Sequence, residues 1–240
     1  MAKAERIAPA DFTCVLYEVR DHVAIVTINR PERRNALNRR AYDEAEAAFR
    51  AASADPDVRC VVVTGADPAF CSGEDVKETM TGEQHDKSVA RLTAVRPEPT
   101  PAAVAVLECD RPAIAAVNGA AGGWGMEPTL FADMRIASEQ AKFGEIFIKR
   151  GLISDVGGLW RLPAIVGPAR AAKLLFTGGV IDAGEALRYM KDGLRRTSYG
   201  DLREIGSWVS ATLGRLFETE DHREGARSFL EKRAPEFKGR

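Results

Sequence analysis

Two β-branched apolar runs with one helical pattern between them leave this chain few folds to choose from. VAIVTIN, at 23–29, is short enough for a strand, and RPERRNALN after it supplies Pro31 and Asn35 as breakers. In NRRAYDEAEAAFRAASAD, from Asn38 onward, Tyr42, Ala45, Phe49 and Ala52 recur at three- and four-residue spacing and line one helical face, and Asn38 stands where a cap belongs. VRCVVVTG, at 58–65, is the second strand. Parallel strands joined through a helix need a crossover connection, so the opening reads as a βαβ unit and the chain as an α/β fold. PAIAAVNG, at 112–119, is a third strand; MRIASE and AKFGE read as short ones, KSVARLTAV as a helix, and helical patterns dominate from Leu159 onward. Leu202, Ile205, Val209, Leu213, Leu216 and Phe217 form an apolar stripe suited to core packing, to subunit association, or to both.

Composition excludes several classes. With 34 basic and 35 acidic residues in 240, there is no surplus of cations for a nucleic-acid surface. Cys14, Cys60, Cys71 and Cys109 stand singly, with no CxxC, which speaks against zinc or a disulfide framework and for a reducing compartment. No run approaches the ~18 apolar residues of a membrane span, and the first twenty lack the apolar centre of a signal peptide. The expectation is a cytoplasmic protein of one main domain, without metal, nucleic acid or membrane.

VNGAAGGWGMEPTLFAD, at 117–133, carries the chemistry. Gly119, Gly122, Gly123 and Gly125 lie between a strand and a helix start, where the first backbone N–H groups have no helical partner and can attract an anion or a developing oxyanion. They do not fall as GxGxxG, so a dinucleotide site is not indicated, and close packing alone would also explain them. AFCSGEDVKE, at 69–78, is a second glycine turn after a strand, and two such turns can offer two N–H donors to one oxygen. Glu127 follows as a carboxylate in an apolar run: either a helix-start acid favoured by the dipole or a general acid–base group. Ser72 and Ser154 have no histidine near in sequence and no GxSxG exists, which disfavours a serine hydrolase. His22, His85 and His222 read as surface residues.

NRPERRNALN, AFCSGEDVKE, PAIAAVNGAAGGWGMEPTLFADMRIASEQAKFG and FLEKRAPEFKGR, in this order, resemble the enoyl-CoA hydratase/isomerase (crotonase) superfamily over nearly the whole chain. The resemblance implies a ββα spiral core over 1–187, a helical trimerisation region over 188–240, and a homotrimer or dimer of trimers. It implies an acyl-CoA substrate, with coenzyme A as part of the substrate and no other cofactor, whose thioester carbonyl is held by the amides of Glu74 and Trp124. Glu127 is then a catalytic acid–base group. Arg33, Arg34, Ala36, Ser72, Gly73, Asp75, Val76 and Gly123 fall at coenzyme A-contacting positions; Arg39 and Arg40 lie near them but suit a solvated helix face as well.

Three departures qualify the reaction. The second glutamate of the hydratases falls by register on Phe147, with Glu145 two residues early. Asp155, in GLISDVGGLWRLP, stands where the dienoyl-CoA isomerase branch carries an aspartate, so it is either a second acid–base group or a helix cap. After FTGGVIDAGEAL the family pattern continues through a strand and a helix, whereas here Leu187 runs straight into Arg188. The expected activity is hydration, dehydration or double-bond isomerisation through a thioester enolate; a non-catalytic acyl-CoA binder and a thioester hydrolase or decarboxylase are the alternatives.

Overall fold

The computed structural model describes residues 8–79, 100–154, 156–182, 211 and 213–238. Its strands are β1 (Val15–Arg20), β2 (Val23–Ile28), β3 (Cys60–Gly65), β4 (Ala69–Cys71), β5 (Ala113–Val117), β6 (Ala120–Gly122), β7 (Met134–Ala137), β8 (Lys142–Gly144) and β9 (Val180–Asp182). Its α-helices are α1 (Arg39–Ala54), α2 (Val76–Thr79), α3 (Pro101–Leu107), α4 (Glu127–Phe131), α5 (Arg161–Val166), α6 (Pro168–Thr177) and α7 (Glu220–Glu231).

The expected βαβ opening is present: β2 and β3 pair in parallel with Val23 opposite Cys60, and α1 makes the crossover. The Asn38 side chain accepts the Ala41 amide at 3.0 Å and caps α1. Sequence reading passes over β1, an edge strand with only Val15 buried. It closes on β2 through Asp21 and His22, both at positive φ (48° and 67°), a hairpin turn made without the Asn-Gly pair that usually announces one.

Beyond β3 each pass of the chain gives one strand to each of two sheets. β3, β5 and β7 are parallel neighbours in the sheet ordered β1-β2-β3-β5-β7, and β4, β6 and β8 are parallel neighbours in the sheet β4-β6-β8-β9. This is a ββα spiral. Its consequence for function is that the segments leaving β4 and β6, the two glycine turns, lie side by side.

Tyr42, Ala45, Ala48, Phe49 and Ala52 on α1 join Val26, Val61, Val63, Ala103 and Val106 in the main core. A smaller core collects Val76, Leu152, Leu213, Phe217 and Ala226, with Phe147 and Leu216 packed against it. The C-terminal stripe is therefore inside where it is described; Leu202, Ile205, Val209, KSVARLTAV, His85 and the 187/188 boundary lie outside the described residues. Helical patterns do not fill the region after Leu159 unbroken, because β9 pairs antiparallel with β8.

Two polar residues differ from expectation. His222 is fully buried instead of at the surface: its Nδ1 lies 3.0 Å from the Arg150 carbonyl oxygen, and its ring stands edge-on to Phe217 at 4.7 Å. Glu44, also fully buried, accepts the backbone N–H groups of Thr13, Cys14 and Val15 and ties the entry of β1 to α1. Arg40 is held by this same carboxylate and Arg39 by Asp43. Among the described residues no helix is long and apolar enough to cross a membrane, and no group of acids, cysteines and histidines could hold a metal.

Candidate active site

Gly73 and Gly123, at φ +95° and +53°, adopt backbone that side chains rarely tolerate, and each turns the chain out of its strand. The Leu37 amide donates to the Gly73 carbonyl at 2.8 Å and the Asp75 amide to the Leu37 carbonyl at 2.9 Å. In extended backbone, alternate groups point to opposite sides, so the N–H of Glu74 projects away from Leu37. On that other side stands the second turn. A Cβ on Gly73 would lie 2.8 Å from the Gly122 carbonyl oxygen and 3.4 Å from the Trp124 nitrogen. Trp124 is in the first turn of a 3₁₀ helix, Gly123–Gly125, where an N–H has no partner within the helix.

The Trp124 side chain anchors its turn from behind. It is 4% exposed, donates from Nε1 to the Thr100 hydroxyl at 3.1 Å, and meets the Tyr42 ring edge-on at 4.8 Å. Both turns open on one pocket, walled by Tyr42, Ser72, Gly73, Glu74, Val76, Gly123, Trp124, Ile146, Phe147, Arg150, Leu152, Ile153 and Leu213.

Glu127 starts α4 three residues beyond Trp124 and is fully buried. Ser154 Oγ donates to its Oε1 at 2.7 Å and the Gly157 amide to its Oε2 at 2.5 Å. Ser154 in turn accepts the Gly158 amide at 3.0 Å, which fixes its proton toward the carboxylate. Burial pushes the Glu127 carboxyl up to about 7, against the opposing pull of the Ser154 and Gly157 hydrogen bonds. A group titrating there can both take and return a proton at neutral pH. Asp155, beside Ser154 in sequence, lies outside the described residues.

Of the residues at the proposed coenzyme A positions, Ser72, Gly73, Val76 and Gly123 line the pocket. The Ser72 amide donates to the Arg34 carbonyl at 3.2 Å and its hydroxyl to the Arg33 carbonyl at 3.4 Å, so the arginine turn abuts the first glycine turn. Asp75 is 4% exposed and its carboxylate is engaged by Arg30 at 3.2 Å, while Ala36 gives its carbonyl to the same guanidinium. Arg30, which sequence reading passed over, thus clamps the loop of Ala36 to the loop of Asp75, with a further ion pair to Glu78 at 2.8 Å. Asn35 adds bonds to the carbonyls of Ala66 and Ala69.

The enoyl-CoA hydratase/isomerase profile matches residues 18–194. A probable enoyl-CoA hydratase of Rhodobacter capsulatus is 34% identical over 262 aligned residues, covering 94% of this chain and 98% of that protein. The chain belongs to the enoyl-CoA hydratase/isomerase family. The probable enoyl-CoA hydratase EchA14 of Mycobacterium tuberculosis is 42% identical over 180 residues, 75% of this chain and 68% of its own. The crystal structure of carnitinyl-CoA hydratase from Mycobacterium avium superposes with a TM-score of 0.76 at 29% identity, over 95% of this chain and 99% of that one.

After β8 the chain of this enoyl-CoA hydratase/isomerase family member turns through the 3₁₀ helix Ile146–Arg150. Phe147 lines the pocket and packs against the smaller core, so an apolar ring stands in this part of the wall. Glu145 is turned inward and 1% exposed, with its carboxyl carbon 2.9 Å from where a Cβ on Gly158 would be. It therefore belongs to the buried Glu127–Ser154–Gly158 neighbourhood and not to the pocket surface. Ser154, Gly157, Tyr42 and Arg150 are further residues of the site that motif spacing did not reveal; their signal is tertiary.

Proposed function

We propose that the chain is an acyl-CoA enzyme in which the Glu74 and Trp124 amides hold the thioester carbonyl oxygen while Glu127 moves a proton on the acyl chain. The observation that carries the reading is the adjacency of the two glycine turns on one pocket, with a carboxyl titrating at about 7 directly behind the second turn. Removing a proton next to a thioester places negative charge on its oxygen, and two preorganised N–H donors stabilise such charge by several kcal/mol. Arg33 and Arg34 suit the phosphates of coenzyme A, since guanidinium forks pair with phosphate oxygens.

Of the family's reactions, double-bond isomerisation fits better than hydration. Adding water calls for one group to activate water and another to deliver a proton, and Phe147 removes the second from the pocket wall. Moving a proton between carbons needs one acid–base group and a stabilised enolate, with Asp155 as the candidate for a second. Glu127 is fully buried against its own partners and is not part of the pocket wall, so its participation requires the acyl chain to reach past that wall. The working assembly in this reading is a trimer or a multiple of it.

The test is turnover of paired 2-enoyl- and 3-enoyl-CoA substrates. The reading expects interconversion of the two to outrun hydration of crotonyl-CoA. Tight binding of both thioesters with neither reaction would make the chain a binder only, and hydration at the faster rate would overturn the meaning given to Phe147.

A further inference from the structure

Among the described residues, two guanidinium Nε atoms are enclosed without a hydrogen-bond partner, those of Arg111 and Arg150, and Arg111 has Asp110 as its ion-pair partner. Arg30 has Asp75 and Glu78. Arg135 donates to the carbonyls of Thr129, Leu130 and Ala132 at the end of α4. Arg150, a member of the pocket wall, has no carboxylate within ion-pair distance among the described residues. Its Nε is enclosed and without a hydrogen-bond partner, its Nη1 reaches the Ile146 carbonyl at a long 3.4 Å, and its guanidinium lies 4.3 Å over the Phe229 ring. Burial alone lowers its pKa to about 10, which leaves it cationic at neutral pH.

A cation held partly out of water without an anion is costly unless something compensates it. The contacts that Arg150 does make orient the planar group without neutralising it: one long bond to a carbonyl and a stacked aromatic face. The wall it belongs to carries the apolar Ile146, Phe147, Leu152, Ile153 and Leu213 together with the polar Tyr42, Ser72 and Glu74.

We infer that Arg150 is an anion subsite in the acyl pocket and that it selects acyl-CoA thioesters whose acyl chain carries a second, free carboxylate. The inference rests on the acyl-CoA reading above and adds the chemical class of the acyl group. A guanidinium offers a carboxylate two parallel N–H donors, and in this wall it rejects a methyl end that leaves those donors unmet. Phe147 then acts as the apolar neighbour that strengthens the pairing by excluding water.

The experiment measures Kd by calorimetry for matched saturated pairs: succinyl- against butyryl-CoA, glutaryl- against valeryl-CoA, and adipoyl- against hexanoyl-CoA, with free coenzyme A as reference. In the wild type at least one dicarboxylic member should bind tighter than its partner by on the order of 10²-fold. Arg150→Met should abolish that preference and leave free coenzyme A unchanged, while Arg150→Lys should retain part of it. No preference in any wild-type pair overturns the inference, and this arm stands even where the variant does not fold. Equal weakening of free coenzyme A in Arg150→Met would assign the residue to the coenzyme's phosphates and overturn it too. If the monocarboxylic thioesters bind as well as the dicarboxylic ones, only the subsite fails; if no thioester and no coenzyme A binds, the acyl-CoA reading fails and takes the subsite with it.

Discussion

Glu127→Gln should change how the stability of this protein depends on pH, and the size of the change follows from the carboxyl's surroundings. Burial raises its pKa from the ordinary 4.5 to about 7. Between those values the folded protein keeps a proton that the unfolded chain has released, so unfolding releases protons and stability falls as pH rises. At about 1.4 kcal/mol per pKa unit the accumulated loss is about 3 kcal/mol by neutral pH, relative to pH 4. Glutamine carries no titrating proton; whatever constant effect it has on packing or on the Ser154 and Gly157 hydrogen bonds cancels when the same variant is compared across pH. Urea unfolding of both proteins at fixed protein concentration, from pH 4.5 to 7.5, measures the difference. The stability of Glu127→Gln relative to wild type should improve steadily over that span and level off above it. Parallel curves would mean that Glu127 titrates as an ordinary carboxyl, and the argument for a neutral-pH acid–base group would fall.

Three further outcomes follow from the same geometry. Ser154→Ala removes a hydrogen bond that favours the ionised form of Glu127, so the rising limb of the kcat/KM–pH profile should move to higher pH; an unmoved limb would show that Ser154 does not act through Glu127. Gly73→Ala places a Cβ 2.8 Å from the Gly122 carbonyl at φ +95°, which should lower stability by about 1–3 kcal/mol and weaken thioester binding by displacing the two turns; an active, equally stable variant would contradict the close approach. Arg30→Met leaves Asp75 buried without its cation and should cost about 3–5 kcal/mol, lowering Tm by on the order of 10 °C in a thermal melt, and a Tm within about 2 °C of wild type would deny the clamp its role.

What the sequence made legible is what local pattern can carry. The β-branched runs of β2 and β3, the apolar face of α1 and its Asn38 cap are encoded within a few residues of one another, and the glycines at 73 and 123 mark turns because no other residue sits easily at their φ. β4, β6 and β9, three residues each, exist through pairing with neighbours far along the chain, which no local pattern announces. The same holds for polar residues with distant partners. Glu44 takes its three amides from thirty positions away, Arg30 finds Asp75 on another loop, and His222 is buried by Phe217 and the Arg150 carbonyl, none of which a surface-like composition around it announces. Ser154 has no histidine near it in sequence; its place is beside Glu127, and only the fold brings them within 2.7 Å.

The central claim, proton transfer at an acyl-CoA carbon by Glu127, is tested most directly by solvent exchange. An enoyl-CoA incubated with the enzyme in deuterium oxide, and followed by NMR at the α- and γ-carbons, should take up deuterium with the wild type. Glu127→Gln should slow that uptake by about 10²–10⁴-fold while binding coenzyme A thioesters as well as before. Uptake at the wild-type rate in Glu127→Gln, or no uptake by a wild type that binds the thioester, would contradict the account.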